Sequence, residues 1–297
     1  MFSERPAYVG LVTRFDTVSF LSDFGSVDEF VGVVKAVIRD IARQVTVIDI
    51  THEIAPHDVR GGSLALARAI QYLPSGVVLA VVDPGVGTDR RAVAIEVAGG
   101  EGVLVGPDNG LLPAAAAFAG GAERAVVLDD PAFHLPSPGL TFAARDVFGP
   151  VAAHLCNGVP LFDLGTEIDP ALLRPGLVPL PRLENGAIVA EVLWVDRFGN
   201  AQLNIGPDEI APWGDRVRVH AGGSVRTGKV CASYGDIGTG ALGLVVDSYG
   251  MVSVCLDRFS AADELHLAAG DSVELSEITD DDPQGSTISL PLPRSRY

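Results

Sequence analysis

Four clusters of polar residues stand where a core would prefer apolar ones. In VDPGVGTDRRA (Val82 to Ala92), two glycines and a proline force a tight loop that should bring Asp83 and Arg90 together. A guanidinium offers a carboxylate two parallel donors, and its charge is expected to lower the pKa of Asp83 and keep it ionised. Such a pair can orient a reacting molecule, or it can merely brace a loop. The second cluster, SDFG (Ser22 to Gly25), directly follows a strand-like run. Ligands of open α/β sheets bind at the carboxyl ends of strands, where Asp23 could accept both hydroxyls of a ribose. The competing expectation is that Asp23 caps the next helix.

The third cluster, GPDNGLL (Gly106 to Leu112), reads as a turn opening a helix, with Asp108 and Asn109 as its caps or facing the same crevice. The fourth, VDRFGN (Val195 to Asn200), places Asp196 and Asn200 around Phe198. That set suits a ligand with an ammonium group and an apolar part, or it is an ordinary turn. The glycines do not form G-x-G-x-x-G, which argues against a dinucleotide dehydrogenase. G-x-S-x-G and P-loop patterns are absent, and the six histidines show no metal-binding spacing.

The elements that must position these clusters alternate in the first half. Thr17 to Leu21, Val45 to Ile50 and Val77 to Val82 read as strands, with helices expected over Val27 to Arg43 and Asp58 to Leu73. Ala92 to Val97 and Val103 to Val105 add strands, and Ala144 to Cys156 a helix. This order predicts an α/β domain with a largely parallel sheet over residues 1–180. After the proline-rich connector from Pro175 to Leu183, short apolar runs lie between Gly, Asp and Asn turns: Ile188 to Val195, Val217 to His220, Leu242 to Val246, Val252 to Leu256 and Ser272 to Leu275. They predict a smaller all-β, barrel-like domain over residues 185–297, ending in a frayed tail, DDDPQGSTISLPLPRSRY.

Of 297 residues, 47% are hydrophobic, enough for a substantial core, and the net charge is −17. That acidity disfavours nucleic acid or an anionic membrane as partner. No apolar run approaches the length of a membrane span, and the first residues, MFSERPAYVG, lack a signal-peptide pattern. Cys156, Cys231 and Cys255 are too few and scattered for a disulfide framework, so buried thiols and a cytoplasmic location are expected.

Taken together, FLSDFG (20–25), VTVIDITHEIAPHDVRGG (45–62), VVDPGVGTDRRA (81–92), VGPDNGLL (105–112), TFAARDVFGP (141–150) and VDRFGN (195–200) resemble the S-adenosyl-L-methionine (SAM) hydroxide adenosyltransferases. These SAM hydrolases are relatives of the bacterial fluorinase and chlorinase. The resemblance implies a homotrimer that converts SAM to adenosine and L-methionine by attack of water or hydroxide at the ribose C5′, with no metal or cofactor. It also implies that the site lies between one subunit's N-terminal domain and a neighbour's C-terminal domain. By position Asp23 would hold the ribose hydroxyls, and Asp28, Asp196 and Ser248 would receive the methionine part. Phe198 and Asn200 would take the adenine, and the backbone at Arg258 would read its edge.

In that family an Asp–Arg–His set is associated with the attacking water. Asp83 and Arg90 match the first two, whereas Ala143 stands where the family has histidine. Removing a general acid/base group lowers rates about 10²–10⁴-fold. The resemblance therefore leaves an impaired hydrolase, a member using another group such as His134, or a SAM-binding protein with little turnover. The halogenases place tyrosine where Asp83 stands, which favours hydrolysis over halide transfer. Tyr249 replaces an arginine of the fluorinase, which weakens the implied recognition of the methionine carboxylate there.

Overall fold

The computed structural model describes residues 14–176 and 178–278. The expected C-terminal tail and the N-terminal MFSERPAYVG segment lie outside the described residues. The chain divides into two compact units, one ending at Val178 and the other beginning at Pro179.

In the first unit seven strands form one sheet: β1 (Thr17–Ser22), β2 (Thr46–Thr51), β3 (Gly76–Val81), β4 (Ala92–Val97), β5 (Gly102–Pro107), β6 (Arg124–Val127) and β7 (Thr166–Ile168). Their order is β2-β1-β3-β5-β4-β6-β7. The four strands β2, β1, β3 and β5 pair in parallel, and the remaining pairings are antiparallel, so only β4 and β7 run against the rest. β1 and β3 are buried along their whole length, as central strands covered on both faces must be. Alternate residues serve opposite cores. Val77, Leu79 and Val81 pack with helices α1 (Phe30–Ile41) and α4 (Gly149–Cys156), while Val78 and Ala80 pack with α2 (Val59–Ala69) and α3 (Pro113–Phe118).

The helix limits differ from the sequence pattern for local reasons. α1 starts at Phe30 rather than Val27, which is 96% exposed after the left-handed Gly25. It stops at Ile41, whose carbonyl accepts the Asn157 side-chain amide at 2.9 Å. In α2, Asp58 accepts the Gly61 N–H at 2.8 Å as N-cap, and a 3₁₀ turn over Ile70–Tyr72 finishes the segment. The expected helix Ala144 to Cys156 is broken into a π-helical turn, Ala144–Phe148, followed by α4. Pro150 has no N–H to offer the Asp146 carbonyl, which accepts the Leu135 N–H at 2.8 Å instead.

The second unit holds β8 (Arg182–Glu184), β9 (Ala187–Val195), β10 (Ala201–Leu203), β11 (Arg216–Ala221), β12 (Ser224–Cys231), β13 (Leu242–Val246), β14 (Val252–Leu256) and β15 (Ser272–Glu277). The pairing β10-β14-β13-β12-β11-β15-β9 returns from β9 to β10 and so closes a seven-stranded barrel. β8 extends the sheet on the first residues of β9, while β10 uses the last ones. Closure leaves the barrel strands paired on both sides, and inward residues such as Val217, Val219, Leu244, Val254 and Val273 fill the interior.

In the first unit, Phe148 ends the π turn, is fully buried in the core that contains α1 and α4, and joins that core to the loop after β3, since the Arg90 guanidinium lies 5.3 Å from its ring centroid. Phe148→Ala is expected to destabilise the first unit by about 3–5 kcal/mol, the usual range for emptying a buried aromatic site. Chemical denaturation of variant and parent measures it.

Candidate active site

Because β1, β3 and β5 are neighbouring parallel strands, the turns that follow them share one edge of the sheet. Those turns carry Asp23, Asp83 and the Asp108–Asn109 pair. The loop after β3 does bring Asp83 and Arg90 together. Arg90 Nε donates to Asp83 Oδ1 at 3.0 Å and Nη2 donates to Oδ2, a two-point clamp with both side chains largely shielded from solvent. Burial pushes the Asp83 carboxyl above its ordinary value, and the negative charge of Asp23 adds to this. The opposing pull of Arg90 does not cancel them. This corrects the expected lowering: desolvation of the carboxylate outweighs its ion pair.

Asp23 does not cap α1, whose N-terminus has no side-chain cap. Its Oδ2 accepts the N–H of His57 at 2.9 Å, a residue held at φ +69°. The same turn is tied again by the Gly25 N–H, which donates to the His52 carbonyl at 2.7 Å. Behind it runs a polar chain. The buried Ser22 hydroxyl meets His52 Nδ1 at 2.8 Å, His52 Nε2 meets Asp49 Oδ1 at 2.9 Å, and Lys35 donates to Asp49 Oδ2 at 2.6 Å. Asp28 lies exposed in the turn before α1.

Asp108 and Asn109 are not helix caps either; α3 has none. Asp108 is buried and accepts Arg91 Nε at 2.8 Å and the Arg174 N–H at 2.8 Å, and Asn109 donates its amide to the Val82 carbonyl at 2.8 Å. Among the described residues no group of three or more His, Cys, Asp and Glu is gathered as a metal ion would need.

In the second unit, Asp196 Oδ1 accepts the N–H groups of Phe198 (2.8 Å) and Asn200 (2.9 Å), and Oδ2 accepts the Asn200 amide (2.8 Å). The turn leaves Phe198 78% exposed. Arg258 occupies a left-handed backbone position (φ +59°). Its segment is tied to this turn where the Ala262 N–H donates to the Gly199 carbonyl at 2.9 Å. Ser248 lies exposed on a second turn built the same way: Asp247 Oδ1 accepts the N–H groups of Tyr249 (2.8 Å) and Met251 (3.1 Å). The two turns read V-D-x-F-G and V-D-x-Y-G, a repetition too short to register as a sequence repeat. Tyr234, which no motif singles out, feels the charges of both Asp196 and Asp247, and burial is the main cause that raises its hydroxyl pKa.

A family model for the SAM hydroxide adenosyltransferase N-terminal domain matches residues 18–165, and one for the C-terminal domain matches 190–274. The chain belongs to this family. A relative from Salinispora tropica named (R)-S-adenosyl-L-methionine hydrolase is 44% identical over 259 residues, covering 87% of this chain and 97% of its own. A fluorinase from Nocardia brasiliensis is 27% identical over 294 residues, covering 88% and 97%. The fold is also that of a Thermotoga maritima structure described as an uncharacterized conserved protein, with TM-score 0.80, 35% identity and coverage of 88% and 100%.

Ala143, where the resemblance leads one to expect histidine, lies at the start of the TFAARD segment's helical turn. It opens the π turn, packed against the first core and preceded by Phe142. Phe142 meets Phe24 of the SDFG turn at 6.0 Å and Phe30 of α1 at 5.1 Å between ring centroids. The TFAARD and SDFG segments are thus in contact. His134 has its Nε2 buried with no hydrogen-bond partner among the described residues. Burial lowers its pKa against the pull of Asp130 and Asp129, the charges that reach it.

Since Asp23 is one of the causes that raise Asp83, replacing Asp23 by asparagine is expected to lower the Asp83 pKa: removing a like charge favours the ionised form. A ¹³C carboxyl NMR titration of parent and Asp23→Asn decides this, and an unmoved or raised Asp83 titration would show that the two carboxylates do not share a crevice.

Proposed function

We propose that the protein hydrolyses SAM to adenosine and L-methionine. The observation that carries this reading is the shielded Asp83 carboxylate clamped by Arg90 beside Asp23, at the strand ends of a chain whose relative at 44% identity is named a SAM hydrolase. A water held by Asp83 attacks the ribose C5′ while the C5′–sulfur bond breaks. The bond electrons leave with sulfur, so a positive sulfonium departs as neutral methionine thioether; of the water's two protons one stays on the new 5′-hydroxyl and the other passes to Asp83 and on to solvent. Sulfonium needs no acid to depart, so the catalytic demand falls on the nucleophile. A carboxyl lifted above its ordinary pKa is a better acceptor for that proton than an exposed one, and Arg90 keeps it pointed.

Asp23 is assigned the ribose hydroxyls, and Asp28, Asp196 and Ser248 the methionine part. Phe198, Asn200 and the Arg258 backbone are assigned the adenine. We infer a cytoplasmic homotrimer in which a neighbouring copy supplies the second group of residues, and SAM acts as substrate with no cofactor; the exposed Phe198 suits a covering ligand. That no described helix is long and apolar enough to cross a membrane agrees with this setting. Ala143 supports a second reading, a SAM-binding protein with little turnover, because a methyl group can neither accept nor donate a proton.

Chromatography of SAM incubated with the protein, with and without chloride or fluoride, separates the readings. Adenosine and methionine in both conditions support hydrolysis, a halogenated nucleoside marks a halogenase, and SAM recovered intact marks the binding protein. In a hydrolase, Asp83→Asn is expected to lower kcat by about 10²–10⁴-fold, the range for losing a general base, with SAM affinity little changed. An equal loss of affinity would reassign Asp83 to binding. Ala143→His is expected to raise kcat, measured in the same assay; an unchanged rate would show that another group fills that role.

A further inference from the structure

The loop from Val82 to Arg91 contains Gly85 and Gly87, the latter at φ +78°, and the hydrogen bonds within it among the described residues are those of its own turns and of the Asp83–Arg90 pair. Glycines make such a loop conformationally permissive, so a fixed Asp83–Arg90 geometry needs restraint from outside. The structure shows that restraint at both ends, and one turn supplies it. At the leading end, the Asn109 side-chain amide donates to the carbonyl of Val82, the residue before Asp83, at 2.8 Å. At the trailing end, the Asp108 N–H donates to the carbonyl of Arg91, the residue after Arg90, at 2.9 Å. Asp108 Oδ2 also accepts the Arg91 side chain through Nε at 2.8 Å and Nη2 at 2.5 Å.

The turn is itself anchored. Asp108 Oδ1 accepts the Arg174 N–H at 2.8 Å, Arg91 Nη2 donates to the Leu172 carbonyl at 2.5 Å, and Asn109 Oδ1 accepts the Leu111 N–H at 3.2 Å. The Asp108 side chain is buried, with one carboxylate oxygen on the Arg174 main chain and the other on the Arg91 guanidinium. We propose that Asp108 and Asn109 are positioning residues that hold the loop after β3, and through it the Asp83–Arg90 couple, in working geometry. The kinetic part rests on the hydrolase reading; the mechanical part does not.

Two measurements on the full-length protein test it. In amide hydrogen exchange followed by mass spectrometry, Asp108→Asn is expected to speed exchange in peptides covering residues 82–91 by about tenfold, as a local opening made easier, with β1 and β3 unchanged. In SAM turnover, the same variant should lose about tenfold in kcat, the equivalent of one hydrogen bond, with KM within about twofold. Placed on Asp83→Asn, it should change the residual rate hardly at all, since a brace has nothing to position once the couple is broken. Unchanged exchange over 82–91, or a kcat loss undiminished on Asp83→Asn, overturns the proposal; the latter is what a general structural role would give. Should Asp108→Asn not fold, Asn109→Ala, which removes one bond to Val82, is subject to the same criteria. If the parent leaves SAM intact, the hydrolase reading fails, and the exchange measurement still decides the brace.

Discussion

A carboxylate held out of water by a two-pronged guanidinium is the interaction on which the first unit's candidate site depends. Asp83 and Arg90 are charged groups in a place where burial penalises charge, and each is tolerable there because of the other. Their balance is uneven. Burial together with the nearby Asp23 wins over the ion pair, leaving Asp83 with more appetite for a proton than a surface carboxylate has. The surrounding fold supplies what that balance requires: parallel strands that end at one edge, an aromatic ring under Arg90, and turns that fix the neighbours of both residues.

The alternation of strands and helices was readable because each central strand is a short β-branched run between turn residues, and each helix shows an amphipathic period. β6 and β7 were not read, because four and three residues are too few to display a period. The π turn was equally hidden: within it the Asp146 carbonyl takes its hydrogen bond from Leu135, a partner on a different segment that the local pattern does not reveal. The barrel was legible as a class from its evenly spaced short strands, but not its closure, which depends on β9 pairing with β10 and β15 along different parts of its length.

At the candidate site, loop composition alone brought Asp83 and Arg90 together correctly. The direction of the Asp83 shift was not accessible, because it depends on how much water the fold removes. Asp108 and Asn109 look like helix caps from their neighbours in the chain, yet their partners, Arg91, Arg174 and Val82, are distant in sequence. Asp247 and Tyr234 went unnoticed for a related reason: a turn of six residues carries too little pattern to stand out, although the VDRFGN motif held the clue to its twin.

Those twin turns of the barrel have a consequence for how the surface there can vary. Each aspartate uses Oδ1 to hold its own main chain, but only the first turn is set wholly from within. Asp196 Oδ2 takes the Asn200 amide of the same turn, whereas Asp247 Oδ2 accepts Gln202 Nε2 at 2.5 Å and the Ser253 hydroxyl at 3.1 Å, which moors the second turn to the neighbouring strands. Phe198 therefore stands as an exchangeable head on a pedestal that needs no rebuilding. A lineage could retune what this end of the barrel greets by swapping one ring for another, at almost no risk to the scaffold beneath.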